Sequence, residues 1–168
     1  RTWLNSSSIG IEMVNQGYSD TAAGRVWQPW SAEQIDALVL LLKDIMQRHG
    51  LTADSVVGHS DIAPQRKVDP GPAFPWQRLA QEGLIHWPDP DAVAMHLTVF
   101  TQQLPSIAWY QEHLAKVGYA VPEHGELDEA TRNVLAAFQM KYRPDVYDGE
   151  PDAQTAAMLL ALTTQMSR

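Results

Sequence analysis

The segment Trp87-Pro88-Asp89-Pro90 divides the 168-residue chain into two parts with different hydrophobic patterns. Before it, stretches that alternate apolar and polar residues occur together with helical periodicity, whereas after it only helical periodicity is found. Proline has a fixed φ angle and no backbone N–H, so we expect a hinge here rather than a continuous element. We therefore predict an α/β domain at residues 1–88 and a helical domain at residues 89–168.

The first part has the pattern of a sheet flanked by helices. Apolar side chains at positions 9, 11 and 13 alternate with small or polar ones, which predicts a half-buried strand at residues 8–14 whose polar face carries Glu12. Residues 55–58 predict a second, short strand that ends at His59. The expected fold class is α/β, with these strands forming the C-terminal part of a mixed central sheet.

Helix signals are found on either side of the second strand. Ser31 and Gln34 form a capping-box pattern, and apolar residues then recur at helical spacing until Gly50. A short helix is expected at residues 76–82. Residues 15–30 show no regular period and are predicted to be a long loop.

The second part is predicted to be a small three-helix domain. The first helix covers residues 107–117, the second begins after the N-cap Asp128, and the third begins after the N-cap Asp152. An Asp148-Gly149 turn separates the last two. No internal repeat is recognised in the sequence.

Composition excludes several classes of partner and chemistry. The formal net charge of −8 and the absence of a basic stripe argue against nucleic-acid binding, which depends on clustered lysine and arginine. Without cysteine there can be no disulfide and no thiolate ligand, so any metal must be held by nitrogen and oxygen. The longest apolar stretches fall well short of the roughly 20 residues that a membrane-spanning helix needs.

His59 and Asp69 are candidate metal ligands. They lie ten positions apart, with Pro64 between them and Pro70 and Pro72 directly after Asp69, and these prolines make the loop stiff. Imidazole and carboxylate both bind Zn²⁺, but a hydrolytic zinc centre uses three protein ligands and an open position. The spacing alone is equally compatible with the commoner situation, a strand-end histidine bonded to backbone and an aspartate in a turn before proline.

Two further side chains could take part in hydrolysis. Glu12 could act as a general base, and the ammonium of Lys67 could stabilise negative charge on a tetrahedral intermediate. The alternative for both is a solvated surface position, which is where most glutamates and loop lysines lie.

The chain resembles a known family. Residues 8–12, 58–64 and 66–72 closely resemble the zinc-dependent N-acetylmuramoyl-L-alanine amidases of the AmpD and AmiD type. Residues 135–139 and 147–152 are similar to the peptidoglycan-binding domain that follows in the AmiD branch. The resemblance implies an enzyme that cleaves the amide between N-acetylmuramic acid and L-alanine in peptidoglycan stem peptides, and it implies a periplasmic location, with outer-membrane anchoring left open.

The resemblance also implies roles for particular residues. His59 and Asp69 would be two zinc ligands, Glu12 the catalytic carboxylate, Lys67 the transition-state stabiliser and Arg66 a contact for a substrate carboxylate. The third ligand of the family, a histidine, would come from an N-terminal segment of the same enzyme that precedes Arg1. If nothing supplies that ligand, the alternative is a non-catalytic module that recognises peptidoglycan or a muropeptide, and an unrelated zinc peptidase is a third option.

Overall fold

The computed structural model of the protein describes residues 4–167, which form an α/β structure in which helices predominate. The hairpin strands are β1 (Tyr18–Thr21) and β2 (Gly24–Trp27), and a 3₁₀ turn covers Ala53–Ser55. The helices are α1 (Leu4–Ser7), α2 (Ala32–His49), α3 (His59–Ile62), α4 (Trp76–Gln81), α5 (Pro90–Phe100), α6 (Ile107–Val117), α7 (Glu129–Tyr142) and α8 (Ala153–Met166).

The predicted strand at residues 8–14 is wrong. This segment is irregular, and Ile9, which was expected in the core, is 54% exposed. A strand needs a neighbouring strand to satisfy its backbone hydrogen bonds, and residues 4–167 place none beside this segment. It is instead attached to α2, because the side chain of Gln34 donates to the carbonyl of Val14 at 2.7 Å.

The second predicted strand, at residues 55–58, is also not formed. Its first residue belongs to the 3₁₀ turn, Gly58 is extended but has no neighbouring strand, and His59 begins α3 instead of ending a strand. The predicted part of a central sheet is therefore not found among residues 4–167, where the sheet is the β1–β2 hairpin.

That hairpin lies in the region predicted to be a loop. The strands are antiparallel, with Tyr18 opposite Trp27 and Thr21 opposite Gly24. Arg25 stabilises the pair from one face, since its guanidinium lies 3.6 Å from the centroid of the Tyr18 ring. All the residues of β1 are exposed, and its sequence Tyr-Ser-Asp-Thr does not alternate apolar and polar residues. Sequence reasoning therefore had no strand pattern to recognise.

The helix predicted before Gly50 is confirmed. The Ser31 hydroxyl accepts the Gln34 N–H at 3.2 Å, and Gly50 ends the helix in the left-handed region at φ 61°. The short helix predicted at 76–82 is α4. The apolar face of α2 packs against α4 and the residues around it in a first hydrophobic cluster made of Ile35, Leu38, Val39, Leu42, Phe74, Trp76, Leu79, Leu84 and Ile85.

The second part contains four helices between residues 90 and 167, so the three-helix prediction is wrong. The helix that was missed is α5. Pro90 is its first residue, where a missing N–H costs nothing, and the carboxylate of Asp89 accepts the Ala92 N–H at 2.8 Å. The prolines interpreted as a hinge are therefore the start of a helix.

The other helices of the second part begin where they were predicted, and they reveal a repeat. Gln111 in α6 accepts the N–H of Gly125 and donates to the Glu126 carbonyl and the Thr131 hydroxyl. Gln139 in α7 makes the same three bonds one helix later, to Gly149, Glu150 and Thr155. Each buried glutamine thus orders the loop that leads to the next N-cap aspartate, so the absence of a repeat was a wrong expectation.

A second hydrophobic cluster lies among α6, α7 and α8. Its fully buried side chains include Tyr110, Leu114, Val134, Leu135, Phe138, Leu159 and Leu162. Trp87 packs against both clusters, at the junction of the two parts. None of the helices between residues 4 and 167 is long and apolar enough to cross a membrane.

Candidate functional site

The structure brings the two predicted metal ligands together. Nδ1 of His59 lies 3.0 Å from Oδ2 of Asp69. This is the distance of a direct hydrogen bond between the two side chains. Two ligands of a tetrahedral zinc ion with bonds of about 2.1 Å are separated by about 3.4 Å, so the two atoms would need to move apart only slightly for both to bind one ion. Both side chains are partly open to solvent, with 38% and 59% of their area exposed, which leaves access for a substrate.

The backbone fixes the two ligands relative to each other. The N–H of Ser60, directly after His59, donates to the carbonyl of Asp69 at 2.9 Å. Between them the chain turns at Ala63, whose carbonyl accepts the N–H groups of Arg66 and Lys67. The ten-residue connection is therefore a hydrogen-bonded turn, which keeps the entropy cost of ligation low.

Close packing supports the same turn. A Cβ atom on Gly58 would lie 2.9 Å from Cδ of Pro70 and 3.0 Å from the Trp76 ring. Gly71 has a φ of +81°, and a Cβ atom there would lie 2.3 Å from the Trp27 ring. Only glycine allows the chain before His59 and the chain after Asp69 to approach their neighbours this closely.

A buried ionic network lies directly beneath His59. Oδ2 of Asp61 accepts the N–H of Gly58 and the ammonium of Lys141, both at 2.8 Å, and Oδ1 accepts the Tyr119 hydroxyl at 2.7 Å. The Lys141 ammonium also lies 4.3 Å from the centroid of the Trp76 ring. Sequence reasoning missed this network because Tyr119 and Lys141 lie 58 and 80 positions from Asp61. The signal available was a lysine within the apolar run of α7.

The remaining predicted site residues are not joined to this pair. Glu12 is exposed on the irregular segment before the hairpin, Arg66 is exposed and Lys67 is half-buried. Among residues 4–167, no hydrogen bond or ion pair links these three side chains to His59 or Asp69, so their roles stay predictions. No group of three histidine, aspartate or glutamate side chains in this described part could hold a metal ion.

Two protein families match the chain, one in the first predicted part and one in the second. Residues 1–72 match the family model for N-acetylmuramoyl-L-alanine amidase, and residues 103–159 match the model for a putative peptidoglycan binding domain. The N-acetylmuramoyl-L-alanine amidase AmiD of Escherichia coli K12 is 45% identical over 163 residues, which cover 96% of this chain. The 1,6-anhydro-N-acetylmuramyl-L-alanine amidase AmpD of Enterobacter cloacae is 43% identical over 79 residues, covering 47% of this chain and 37% of AmpD.

Solved structures agree in fold. Escherichia coli AmiD, in complex with the substrate anhydro-N-acetylmuramic acid-L-Ala-D-gamma-Glu-L-Lys, superposes with a TM-score of 0.88 at 42% identity over 98% of this chain and 64% of that one. AmpDh3 from Pseudomonas aeruginosa gives a TM-score of 0.90 at 40% identity, over 100% of this chain and 66% of that one. The chain spans 58% of the length of AmiD. Over the length that it spans, the chain is similar in sequence and in fold to AmiD, and its first 72 residues match the N-acetylmuramoyl-L-alanine amidase family model.

Proposed function

We propose that this protein is a zinc-dependent N-acetylmuramoyl-L-alanine amidase. It hydrolyses the amide that joins the lactyl group of N-acetylmuramic acid to the L-alanine of a peptidoglycan stem peptide. The observation that carries the proposal is the 3.0 Å approach of His59 Nδ1 to Asp69 Oδ2 on a turn held by backbone bonds. The substrate class follows from AmiD and AmpDh3, whose structures contain anhydromuramic peptides.

His59 and Asp69 would be two of three protein ligands. Their nitrogen and oxygen donors suit zinc, which when bound supplies polarisation of the scissile carbonyl and activation of water. We propose that the third ligand is a histidine from a segment of the longer enzyme outside this sequence, together with strands that complete a central sheet. The length of AmiD beyond the matched region supports this.

Three other side chains complete the proposed machinery. The exposed carboxylate of Glu12 takes the proton of the attacking water and later passes it to the leaving amine. The ammonium of Lys67 stabilises the negative charge that develops on the carbonyl oxygen. Arg66 binds a carboxylate of the stem peptide, for which its guanidinium is suited.

The helical part, residues 89–168, would hold the enzyme on its substrate. The match of residues 103–159 to a peptidoglycan-binding family supports this role. A second binding site raises the effective concentration of cleavable bonds, which favours polymeric peptidoglycan over small fragments. A periplasmic location, where that polymer lies, is part of the same proposal.

The test is to incubate the intact protein with a muropeptide and to look for free stem peptide by mass spectrometry. We expect release that a chelator abolishes and added zinc restores. His59→Ala serves as the control for release by a contaminating enzyme. If the intact protein binds the muropeptide but releases no peptide in any condition, it is a recognition module rather than an amidase.

A further inference from the structure

From the buried network around Asp61 we infer that Asp61 is a positioning residue for His59. We also infer that the helical part holds the Asp61 carboxylate in place through Lys141 and Tyr119. The inference rests on the proposed function, because it takes His59 to be a zinc ligand. It gives the C-terminal helices a part in building the hydrolytic site, in addition to any part in holding peptidoglycan.

Asp61 acts on the turn that carries His59. Its Oδ2 accepts the Gly58 N–H at 2.8 Å, so the carboxylate holds the peptide immediately before His59 at the start of α3. Gly58 also packs closely against Pro70, since a Cβ atom on Gly58 would lie 2.9 Å from its Cδ, and Ser60 is bonded to the Asp69 carbonyl. A change in the Asp61 carboxylate therefore shifts His59 and Asp69 relative to each other.

The Asp61 carboxylate has its charged and hydroxyl partners in the other part of the molecule. Asp61, Lys141 and Tyr119 are all buried, and a buried carboxylate is stable only when it is paired and hydrogen-bonded. Lys141 comes from α7, and Tyr119 directly follows Gly118, the C-cap of α6. Loss of either partner makes burial of the carboxylate costly and so weakens its hold on the Gly58 N–H.

A second contact between the same elements supports this reading. Gln65, which lies between the two ligands in sequence, donates to the Ala130 carbonyl and accepts from the Asn133 side chain, both at 3.0 Å. Both partners belong to α7, as does Lys141. The segment from His59 to Asp69 is therefore held against α7 at two separate points, one buried and ionic, the other exposed and neutral.

Two tyrosines provide a matched test in the intact protein. Tyr119→Phe removes the hydroxyl that donates to Asp61, whereas Tyr147→Phe removes one that accepts the Trp27 indole N–H at 3.0 Å, another bond between the two parts. We expect Tyr119→Phe to raise the zinc Kd, measured by competition with a chelating dye, by about tenfold, as supporting hydrogen bonds around metal sites usually do. Tyr147→Phe should change it by less than about twofold.

Hydrogen exchange in the metal-free protein gives a readout that does not depend on zinc. Exchange of the Gly58 and Ser60 amides should be faster in Tyr119→Phe than in Tyr147→Phe. Equal zinc affinities and equal exchange in the two variants would overturn the inference. If the unmodified protein neither binds zinc nor releases stem peptide, the proposed function fails, while the exchange rates still decide whether Asp61 holds the turn.

A charge-neutral replacement separates positioning from simple loss of stability. Lys141→Met leaves the Asp61 carboxylate buried without its ammonium, so we expect weaker zinc binding and a lower unfolding midpoint. In Lys141→Met with Asp61→Asn, the buried charge is gone and the amide oxygen can still accept the Gly58 N–H. The double variant should regain zinc affinity relative to Lys141→Met, and a double variant that is stable but binds zinc no better would contradict the role of Asp61.

Discussion

Glu12 and His59 are proposed to act on different atoms, so substitutions can separate their roles. Glu12→Ala should leave the zinc content near normal and lower kcat by a factor of about 100 or more, because it removes proton transfer but no ligand. His59→Ala should lose the metal itself. Elemental analysis of the purified variants, together with turnover of a muropeptide, distinguishes the two. Nearly full kcat in Glu12→Ala would contradict the general-base role.

Lys67 and Arg66 are neighbours in sequence with different proposed roles. Lys67→Ala should lower kcat by about a hundredfold, as loss of a group that stabilises an oxyanion usually does. Arg66→Ala, which removes a contact that substrate and transition state share, should act mainly on KM. Steady-state kinetics of both variants make the comparison. An effect of Lys67→Ala confined to KM would move this residue from catalysis to substrate binding.

His113 links stability to pH. Burial lowers its pKa from the ordinary 6.5, and nearby Lys116 acts in the same direction, while the bond to the Trp109 carbonyl and the charge of Glu112 oppose them. Since the folded state binds the proton less well than the unfolded state, stability is full above about pH 6.5 and falls as the pH drops below it. Urea unfolding at pH 7.5 and 5.0 should show a smaller pH difference in His113→Gln than in the unmodified protein. An equal difference would contradict the assignment.

The two glutamine-ordered loops of the helical part offer a matched pair of glycines. Both Gly125 and Gly149 have positive φ, +80° and +76°, so alanine at either position carries a similar backbone strain of about 1–2 kcal/mol. The two positions differ in the room available for a Cβ atom. A Cβ atom on Gly149 would lie 2.5 Å from the backbone oxygen of Arg132, whereas on Gly125 its nearest neighbour is the Ala108 Cβ at 3.7 Å.

Gly149→Ala should therefore lower the free energy of unfolding by about 1–3 kcal/mol more than Gly125→Ala, since only the first also forces backbone apart. Denaturant unfolding of the two variants measures the difference directly. Equal losses would mean that α7 and the loop before α8 separate at little cost.

Helices were predictable from the sequence because their signals are local. The N-caps Ser31, Asp128 and Asp152 all accept the N–H three residues on, as the sequence indicated. Helix α5 was missed because Pro90 was interpreted as a breaker, although proline is common at a first helical position. The strand at 8–14 was wrong because strand formation depends on a neighbour that the alternation of side chains does not reveal.

In the candidate site, too, contacts between residues close in sequence were predictable and contacts between distant residues were not. His59 and Asp69 are only ten positions apart, so their spacing made them candidates and the family resemblance paired them. Asp61 and Lys141 could not be paired, because their contact spans 80 positions and depends on how the two parts pack. What the sequence did offer was the Gly-Glu-x-Asp-x-x-Thr pattern that begins at Gly125 and again at Gly149, which marks the repeated loops and was not recognised.

The two parts of the molecule are joined by more than the chain that connects them. Trp87 packs against both hydrophobic clusters, and its ring centroid lies 5.3 Å from that of Tyr142. The buried Asp61–Lys141 pair lies in the same interface. Separation of the parts would expose a tryptophan and a paired charge together, which makes independent unfolding unfavourable.

Calorimetry tests this coupling with a matched pair of tryptophans. The unmodified protein should unfold in one cooperative transition, whose calorimetric and van't Hoff enthalpies agree. Trp87→Ala should divide it into two transitions, because it removes the side chain that both clusters share. Trp109→Ala removes the same side chain from the second cluster alone, where it stacks on His113 at 3.7 Å, so it should lower the Tm without dividing the transition. Two transitions in the unmodified protein would show that the helical part is held only by its linker, and Asp61 would then lack a stable partner in Lys141.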